Sequence, residues 1–217
     1  RFEMDVNPYI SFFFASLTTM FVIIDPPGNI PMFIALTEGL DSKLRDRVSK
    51  KSTLIAATLL IFVAITGKTV LEFFHISLDG LRIAGGILLF VISVDILLGG
   101  SRKKSYIQDS DIDAESLAVF PIALPLYSGP GAITAAIVLY SQAFDLTAKI
   151  AVLLSIVVVY IIVRLTHVYS DKLLNILGGS GANIISRLMA IFLAAIAIEY
   201  VFEGIEGKIL QILQMVT

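Results

Sequence analysis

Two short runs hold most of the residues able to do chemistry. The first is Ile24-Asp25-Pro26-Pro27-Gly28-Asn29-Ile30-Pro31, and the second is Ser128-Gly129-Pro130-Gly131-Ala132-Ile133-Thr134. Each lies inside a long stretch that is otherwise apolar. Pro26 and Pro27 have no N–H, so the carbonyls of Val22 and Ile23 lose their helical donors. Pro130 does the same to Leu126, and Pro121 and Pro125 weaken the helix before it. Free backbone groups in hydrocarbon cost several kcal/mol unless protein, water or a ligand satisfies them. Beyond each break a half-helix begins, at 28–37 and 131–140. Its N-terminus offers unpaired N–H groups and roughly half a positive charge, which suits a carboxylate. The half-helix before each break ends in free carbonyls, which suit an ammonium group or a cation. A zwitterionic amino acid fits both ends. Gly28, Gly129, Gly131 and Ala132 let the backbone approach a ligand closely and leave little room for a long side chain. No Lys or Arg is near either run to match an acidic side chain, so a small neutral substrate is favoured.

Pro27, Gly28, Asn29, Ser128, Gly129, Pro130, Gly131, Ala132 and Thr134 are thus candidate substrate-binding residues, with Asp25 foremost. An ionisable group at membrane depth is a functional hypothesis by default. Asp25 could pair with the substrate ammonium or carry a proton; equally, it could merely cap the half-helix after Pro27. Asn29 could offer its amide to the ligand or satisfy the broken backbone. Ser128 and Thr134 could touch the ligand or bond back to nearby carbonyls. Glu199 is the second coupling candidate. It follows Arg187 by 12 residues, about 18 Å of helix, a little beyond the midplane. It could relay protons, pair locally or face a wet cavity. Asp95 is expected to snorkel or to pair with Arg102. Arg82 and Arg187 could anchor span starts at the interface or form gate ion pairs. Gly85-Gly86 points to close helix packing. His75 and His167 fall at span ends on opposite sides, and no His/Asp/Glu cluster has metal-ligand spacing. No metal or cofactor is expected. Without a Walker motif, direct use of ATP is not expected either. An intramembrane enzyme would need a base, and Ser128 has no His at comparable depth.

The elements that must position these residues are read from the apolar runs. A crossing helix needs about 20 residues. Six spans are expected near 8–37, 50–74, 79–99, 116–143, 147–167 and 184–206. The first and fourth are too long for one simple crossing, and both are interrupted by Pro and Gly. The solid apolar stretch 153–163 rejects the alternating pattern of a membrane β-barrel. Composition agrees: the chain of 217 residues is 57% hydrophobic and 16% charged, against about 25% charged in a soluble domain. With no cysteine there is no disulfide framework or thiolate metal site. A net charge of −2 gives no electrostatic case for nucleic acid as a partner. The apolar surface makes the lipid bilayer the obligatory one. The first run follows Glu3 and Asp5 rather than a basic region, so no secretory signal is expected. Placing both termini outside puts eleven Lys and Arg in cytoplasmic loops and five outside, the bias the positive-inside rule demands. The stretch 99–115 is read as a solvated loop.

The landmarks repeat. Pro27 to Arg82 is 55 residues and Pro130 to Arg187 is 57; Arg82 to Gly99 and Arg187 to Gly204 are each 17. The fold expected is therefore an all-α integral membrane protein of six helices in two inverted-topology three-helix repeats, with helices 1 and 4 discontinuous. One domain covers 1–217, with repeat 1 at about 8–99, a linker at about 100–115 and repeat 2 at about 116–206. Such pairs place their site where the interrupted helices meet.

The two runs, together with Arg82-Ile83-Ala84-Gly85-Gly86-Ile87-Leu88-Leu89, resemble the signatures of the MarC family. That family is also described as the six-span neutral amino acid transporter family, of the SnatA type. The resemblance covers essentially the whole chain. It implies a multi-pass protein of the prokaryotic plasma membrane that moves small neutral amino acids such as glycine and alanine. The expectation is a secondary transporter working by alternating access with protons or sodium as coupling ion, the alternative being a passive channel for small polar solutes. Export or import, exact substrate range and oligomeric state are left open.

Overall fold

A computed structural model of the chain describes residues 7–37, 40–98 and 114–216. All regular elements among the described residues are helical. Helix α1 (Pro8–Ile24) starts at Asn7, whose side chain accepts from the Tyr9 N–H at 3.0 Å. It must stop before Pro26, which cannot donate. The chain turns there through Asp25, held at φ 48°, ψ 63° with its N–H still bonded to the Phe21 carbonyl. A short helix α2 (Ile30–Leu36) follows. Helix α3 (Ser42–Phe73) is capped by Asp41, and α4 (Leu78–Leu97) by Ser77. A single turn α5 (Ala114–Leu117) leads into a loosely wound segment, Ala118–Tyr127. Within it Phe120 (φ −130°, ψ 128°) and Leu124 (φ −127°, ψ 129°) are extended. Each precedes a proline, whose ring disfavours the α conformation for the residue before it. Helix α6 (Pro130–Gln142) opens with proline at its first position, where no N–H is needed. Helix α7 (Leu146–Val168) is capped by Asp145. Helix α8 (Ser170–Val216) contains a break at Gly178, whose φ of 64° and ψ of 168° only glycine adopts cheaply.

Four helical stretches are long and apolar enough to cross a membrane: Ser42–Phe73, Leu78–Leu97, Leu146–Val168 and Arg187–Gln214. With them are shorter apolar helices, Pro8–Ile24 and Glu115–Leu124. Large apolar side chains cover the outside, Leu54, Phe62, Ile161 and Phe202 among them. In water that surface would be untenable; against lipid it is the expected one. The protein is an integral, multi-pass membrane protein.

Several helix limits differ from the expected ones. Helix α3 begins at Ser42 rather than near 50, because the charged turns containing Arg45, Asp46 and Lys50 continue the helix out of the apolar layer. Hydropathy marks the crossing portion, not the helix. The last helical stretch runs from 170 to 216 rather than 184 to 206, because it joins two helices across the break at Gly178 and carries on through 207–216. The expected solvated loop and the proposed linker fall almost wholly on residues 99–113, outside the described residues, as does Arg102, the suggested partner of Asp95.

Packing places the broken spans at the centre. Helix α1 packs on α7, α3 packs on α6 and on Ala118–Tyr127, and α4 packs on α8. The last contact is close because glycine permits it. A Cβ on Gly86 would lie 2.6 Å from the Ala197 carbonyl oxygen, and one on Gly204 2.7 Å from that of Asp79. Helix α6 is buried on nearly every side, including Gly131, Ala132 and all of 134–139. A helix apolar all round belongs in the interior. The core around it includes Met20, Ile24, Phe33, Leu60, Ile122, Val152 and Ile156.

Ion pairs mark the two ends of the bundle. At one, here the basic end, Arg45 meets Asp171 at 3.0 Å, Arg47 and Lys51 meet Glu115 at 3.2 and 3.0 Å, and Arg164 pairs with Asp46. At the far end Arg82 contacts Asp79 at 3.1 Å and Glu203 at 3.5 Å. There too the Tyr9 hydroxyl donates to Asp145 at 2.8 Å.

Candidate functional site

The tip of the first broken span satisfies itself. Asp25 is 8% exposed, and its Oδ1 accepts from the Gly28 N–H at 3.1 Å. Its own carbonyl accepts from the Asn29 N–H at 3.1 Å. The Asn29 side-chain amide donates to the Ile24 carbonyl at 2.8 Å, one of the groups left over where α1 ends. A Cβ on Gly28 would collide with the Asp25 carboxylate, so this tight turn needs glycine. Asn29 thus satisfies the broken backbone as foreseen, while the Asp25 side-chain bond falls ahead of α2, which has no side-chain cap at Asn29. That bond uses one carboxylate oxygen of Asp25, and no Lys or Arg among the described residues forms an ion pair with it. A buried carboxylate without a cation is costly, and an ammonium group arriving from outside is one way to balance it.

The tip of the second broken span is built differently. Ser128 holds the place of Asp25, at φ −122°, ψ 49°, and is 1% exposed. Its Oγ lies 3.3 Å from the Ala56 carbonyl and 3.2 Å from the Tyr160 hydroxyl. Tyr160 in turn donates to the Tyr127 carbonyl at 2.9 Å. These bonds draw Ser128 away from the helix it precedes, and no side chain caps α6 at Gly129. The first turn of α6 keeps N–H groups that have no intrahelical partner. Thr134 bonds back to the Pro130 carbonyl at 2.9 Å, the local role foreseen for a hydroxyl. Gly131 sits where a Cβ would run into Leu89 and would also lie 3.9 Å from Ile23 in the last turn of α1. The end of α1, where the first break begins, and the start of α6 therefore adjoin. One brings a carboxylate, the other an uncapped helix start.

Other expected residues lie elsewhere. Glu199 is exposed on α8 and takes no part in the bonds around Asp25. Arg82 is held by Asp79 and Glu203, while its counterpart Arg187 is exposed. His75 is exposed at the end of α3, with φ 56°.

His167, read from the sequence only as a span-end residue, is drawn into the interior beside the second tip. It is 4% exposed. Its Nε2 is 2.6 Å from the Tyr127 hydroxyl and its Nδ1 is 2.9 Å from the Ser49 hydroxyl. Its ring stacks on Phe33 of α2, centroids 3.6 Å apart and planes within 4°. Arg45 lies over the same Phe33 ring at 5.5 Å. Arg164 donates to Ser49 at 3.0 Å and also pairs with Asp46. A buried polar chain thus runs from the basic end, through His167, to the residue just before Ser128. The partners of His167 are 118 and 40 residues away in the chain, so no local spacing signalled them. Tyr127 alone was detectable, as the last residue before the break.

Comparison with known proteins gives a consistent identification. Residues 10–209 match the profile of the MarC family, described as MarC family integral membrane protein. The chain is 56% identical to a UPF0056 membrane protein of Archaeoglobus fulgidus over 208 residues, covering 95% of this chain and 98% of the relative. It is 37% identical to UPF0056 membrane protein MJ1677 of Methanocaldococcus jannaschii, covering 93% and 99%. It is 32% identical to UPF0056 membrane protein YhcE of Escherichia coli, covering 94% of each. No solved structure matches the chain.

Proposed function

We propose, from the premise that the chain belongs to the MarC family of integral membrane proteins, that it is a secondary transporter of small neutral amino acids such as glycine and alanine. The observation that carries this reading is the unlike chemistry of the two adjoining tips. Asp25 offers a carboxylate that forms no ion pair among the described residues, available to a substrate ammonium. The uncapped start of α6, at Gly129, Pro130, Gly131 and Ala132, offers N–H groups and a positive dipole end for the substrate carboxylate. Gly28, Asn29 and Pro27 on one side and Ser128 and Thr134 on the other complete the lining. Space is scarce wherever a glycine already touches a neighbour, which favours glycine- and alanine-sized substrates.

Reciprocal packing supports two inverted halves. Helix α1 leans on α7 of the other half, α6 leans on α3, and α4 and α8 pair with each other. A pseudo-twofold axis in the membrane plane would generate that pattern. Six crossings follow when α1 with α2, and 114–127 with α6, each count as one broken span. The basic end then faces the cytoplasm of a prokaryotic cell, and both termini face outside. Alternating access consists of the halves rocking about the fixed site. A proton or sodium gradient supplies the drive, with Asp25 as the primary coupling candidate and Glu199 the remoter one.

Uptake into proteoliposomes tests this directly. Labelled glycine, alanine, serine and threonine are offered under imposed proton or sodium gradients. Accumulation of glycine or alanine, with faster exchange when substrate is placed on the opposite side, is the expected result. Passage without such acceleration indicates a channel, and no transport of any of the four overturns the reading.

A further inference from the structure

We infer that His167 is the latch of a gate on the basic-end side of the site, holding the tips of both broken spans shut through Tyr127 and Phe33. The inference rests on the transport reading for its purpose, but on geometry for its substance. Tyr127 and Phe33 are each 1% exposed and His167 is 4% exposed. Tyr127 ends the loosely wound segment, and the chain after it, at Ser128 and Gly129, is not helical. Phe33 lies on α2, beyond the turn of 25–29. Each tip residue is thus carried on one side of a backbone break, and breaks are where a helix can swing. Both meet the same imidazole: Tyr127 by its hydroxyl at 2.6 Å, Phe33 by stacking at 3.6 Å. The imidazole itself is fixed from behind by Ser49 on α3, which Arg164 holds in turn.

This placement gives His167 a job that a packing residue would not need. Parting Tyr127 from His167, or Phe33 from His167, is the movement that would free the two tips on the basic-end side. The contact to Tyr127 belongs to the closed arrangement, so losing it shifts the balance toward the arrangement open on that side. His167 touches no candidate substrate-binding group. It is a positioning residue acting through Tyr127 and Phe33.

Accessibility of a thiol at the site tests the latch without reference to transport. The chain has no cysteine, so Ser128→Cys is a single reporter on an otherwise silent background. Membrane vesicles of both orientations are treated with a membrane-impermeant maleimide. In Tyr127→Phe, which keeps the ring and loses the hydroxyl, labelling from the face bearing His167, Ser49 and Arg164 should rise about five-fold, the population change worth one net hydrogen bond. Labelling from the far face should stay level or fall. A rise from both faces means general loosening and overturns the latch; no rise from either face overturns it too. Where Tyr127→Phe fails to fold, Ser49→Ala, which frees the other ring nitrogen, must give the same one-sided rise or the inference falls. One-sided labelling of the reporter, together with a cysteine-free parent that moves none of the four amino acids, would retain the latch and remove the transport reading.

Discussion

Asp25→Asn separates the charge of Asp25 from its structural work. The turn needs a residue at φ 48° with a side-chain oxygen facing the Gly28 N–H. Asparagine visits the left-handed region readily and keeps that oxygen. The cap becomes a neutral hydrogen bond instead of a charged one, a change of about 1 kcal/mol. What disappears is the negative charge that would meet an ammonium group. A hydrogen bond to a charged partner is worth about 1.5–3 kcal/mol, or about 10- to 150-fold in affinity. Asp25→Ala serves as the control for structure. It removes the side-chain bond to the Gly28 N–H, at about 1.5–3 kcal/mol, and puts a Cβ residue without local hydrogen bonding at positive φ, at about 1–2 kcal/mol more. Asp25→Asn should therefore melt close to the parent in detergent, while Asp25→Ala melts clearly lower. In proteoliposomes Asp25→Asn should raise the apparent KM for glycine and alanine by the same 10- to 150-fold and flatten the pH dependence of uptake. A parental KM and pH profile in well-folded Asp25→Asn would refute the assignment and leave Asp25 as a cap alone.

Three other perturbations have equally definite outcomes. Asn29→Ala strips the Ile24 carbonyl of its donor and should lower stability by about 1–3 kcal/mol, read as a drop in melting temperature; Asn29→Asp should be worse, since it sets a carboxylate against that carbonyl. Gly131→Ala drives a Cβ into Leu89, costing about 1–3 kcal/mol, and because Leu89→Ala vacates that space the double variant should lose less than the two single losses added together. Additive losses in that cycle would mean the two side chains do not compete. At Asp145 the Ala148 N–H and then the Tyr9 hydroxyl hold the carboxyl below its usual range. A depressed carboxylate stabilises fully above its unfolded value, about 4, and the benefit is lost as pH falls through the lower folded value. Asp145→Asn should thus reduce stability at neutral pH and converge with the parent in acid; a constant difference at all pH values contradicts this.

Where the sequence was legible, the reason is local chemistry. Proline cannot donate, so the breaks after Ile24 and before Pro130 had to occur where they do. The same rule explains Phe120 and Leu124, which are extended because prolines follow them. Asp25 was conspicuous because an acid in an apolar run has few places to go. What the sequence hid is set by distance. His167 reads as a span-end residue beside Thr166 and Val168, and only the fold brings it to Phe33, Ser49 and Tyr127. The turns that extend α3 below the apolar layer were invisible to hydropathy because they are charged. The break at Gly178 was hidden among Gly178, Gly179 and Gly181, in a stretch whose composition fits a loop or a helix equally.

The repeat itself conceals the most informative difference between its halves. Landmark spacing aligns Asp25 with Ser128, and perfect symmetry would give the two tips one chemistry. A zwitterion needs opposite charges a few atoms apart, and two identical tips cannot supply them. The substitution of serine for aspartate resolves this in two steps. Asp25 folds back onto the Gly28 N–H, ahead of α2, and brings a carboxylate to that tip, although α2 itself has no side-chain cap. Ser128 is drawn off toward Tyr160 and Ala56, so the start of α6 is left uncapped and presents positive charge. Tyr160 is then more than packing: its bonds to Ser128 and to the Tyr127 carbonyl keep the second tip open. Tyr160→Phe should leave Ser128 held only by its 3.3 Å bond to the Ala56 carbonyl and so freer to turn its hydroxyl toward the first N–H groups of α6. The expected outcome is a protein about as stable as its parent that binds glycine more weakly, because a local hydroxyl now competes for the N–H groups a carboxylate would use. Unchanged glycine affinity in Tyr160→Phe would show that the uncapped helix start is not where the carboxylate binds.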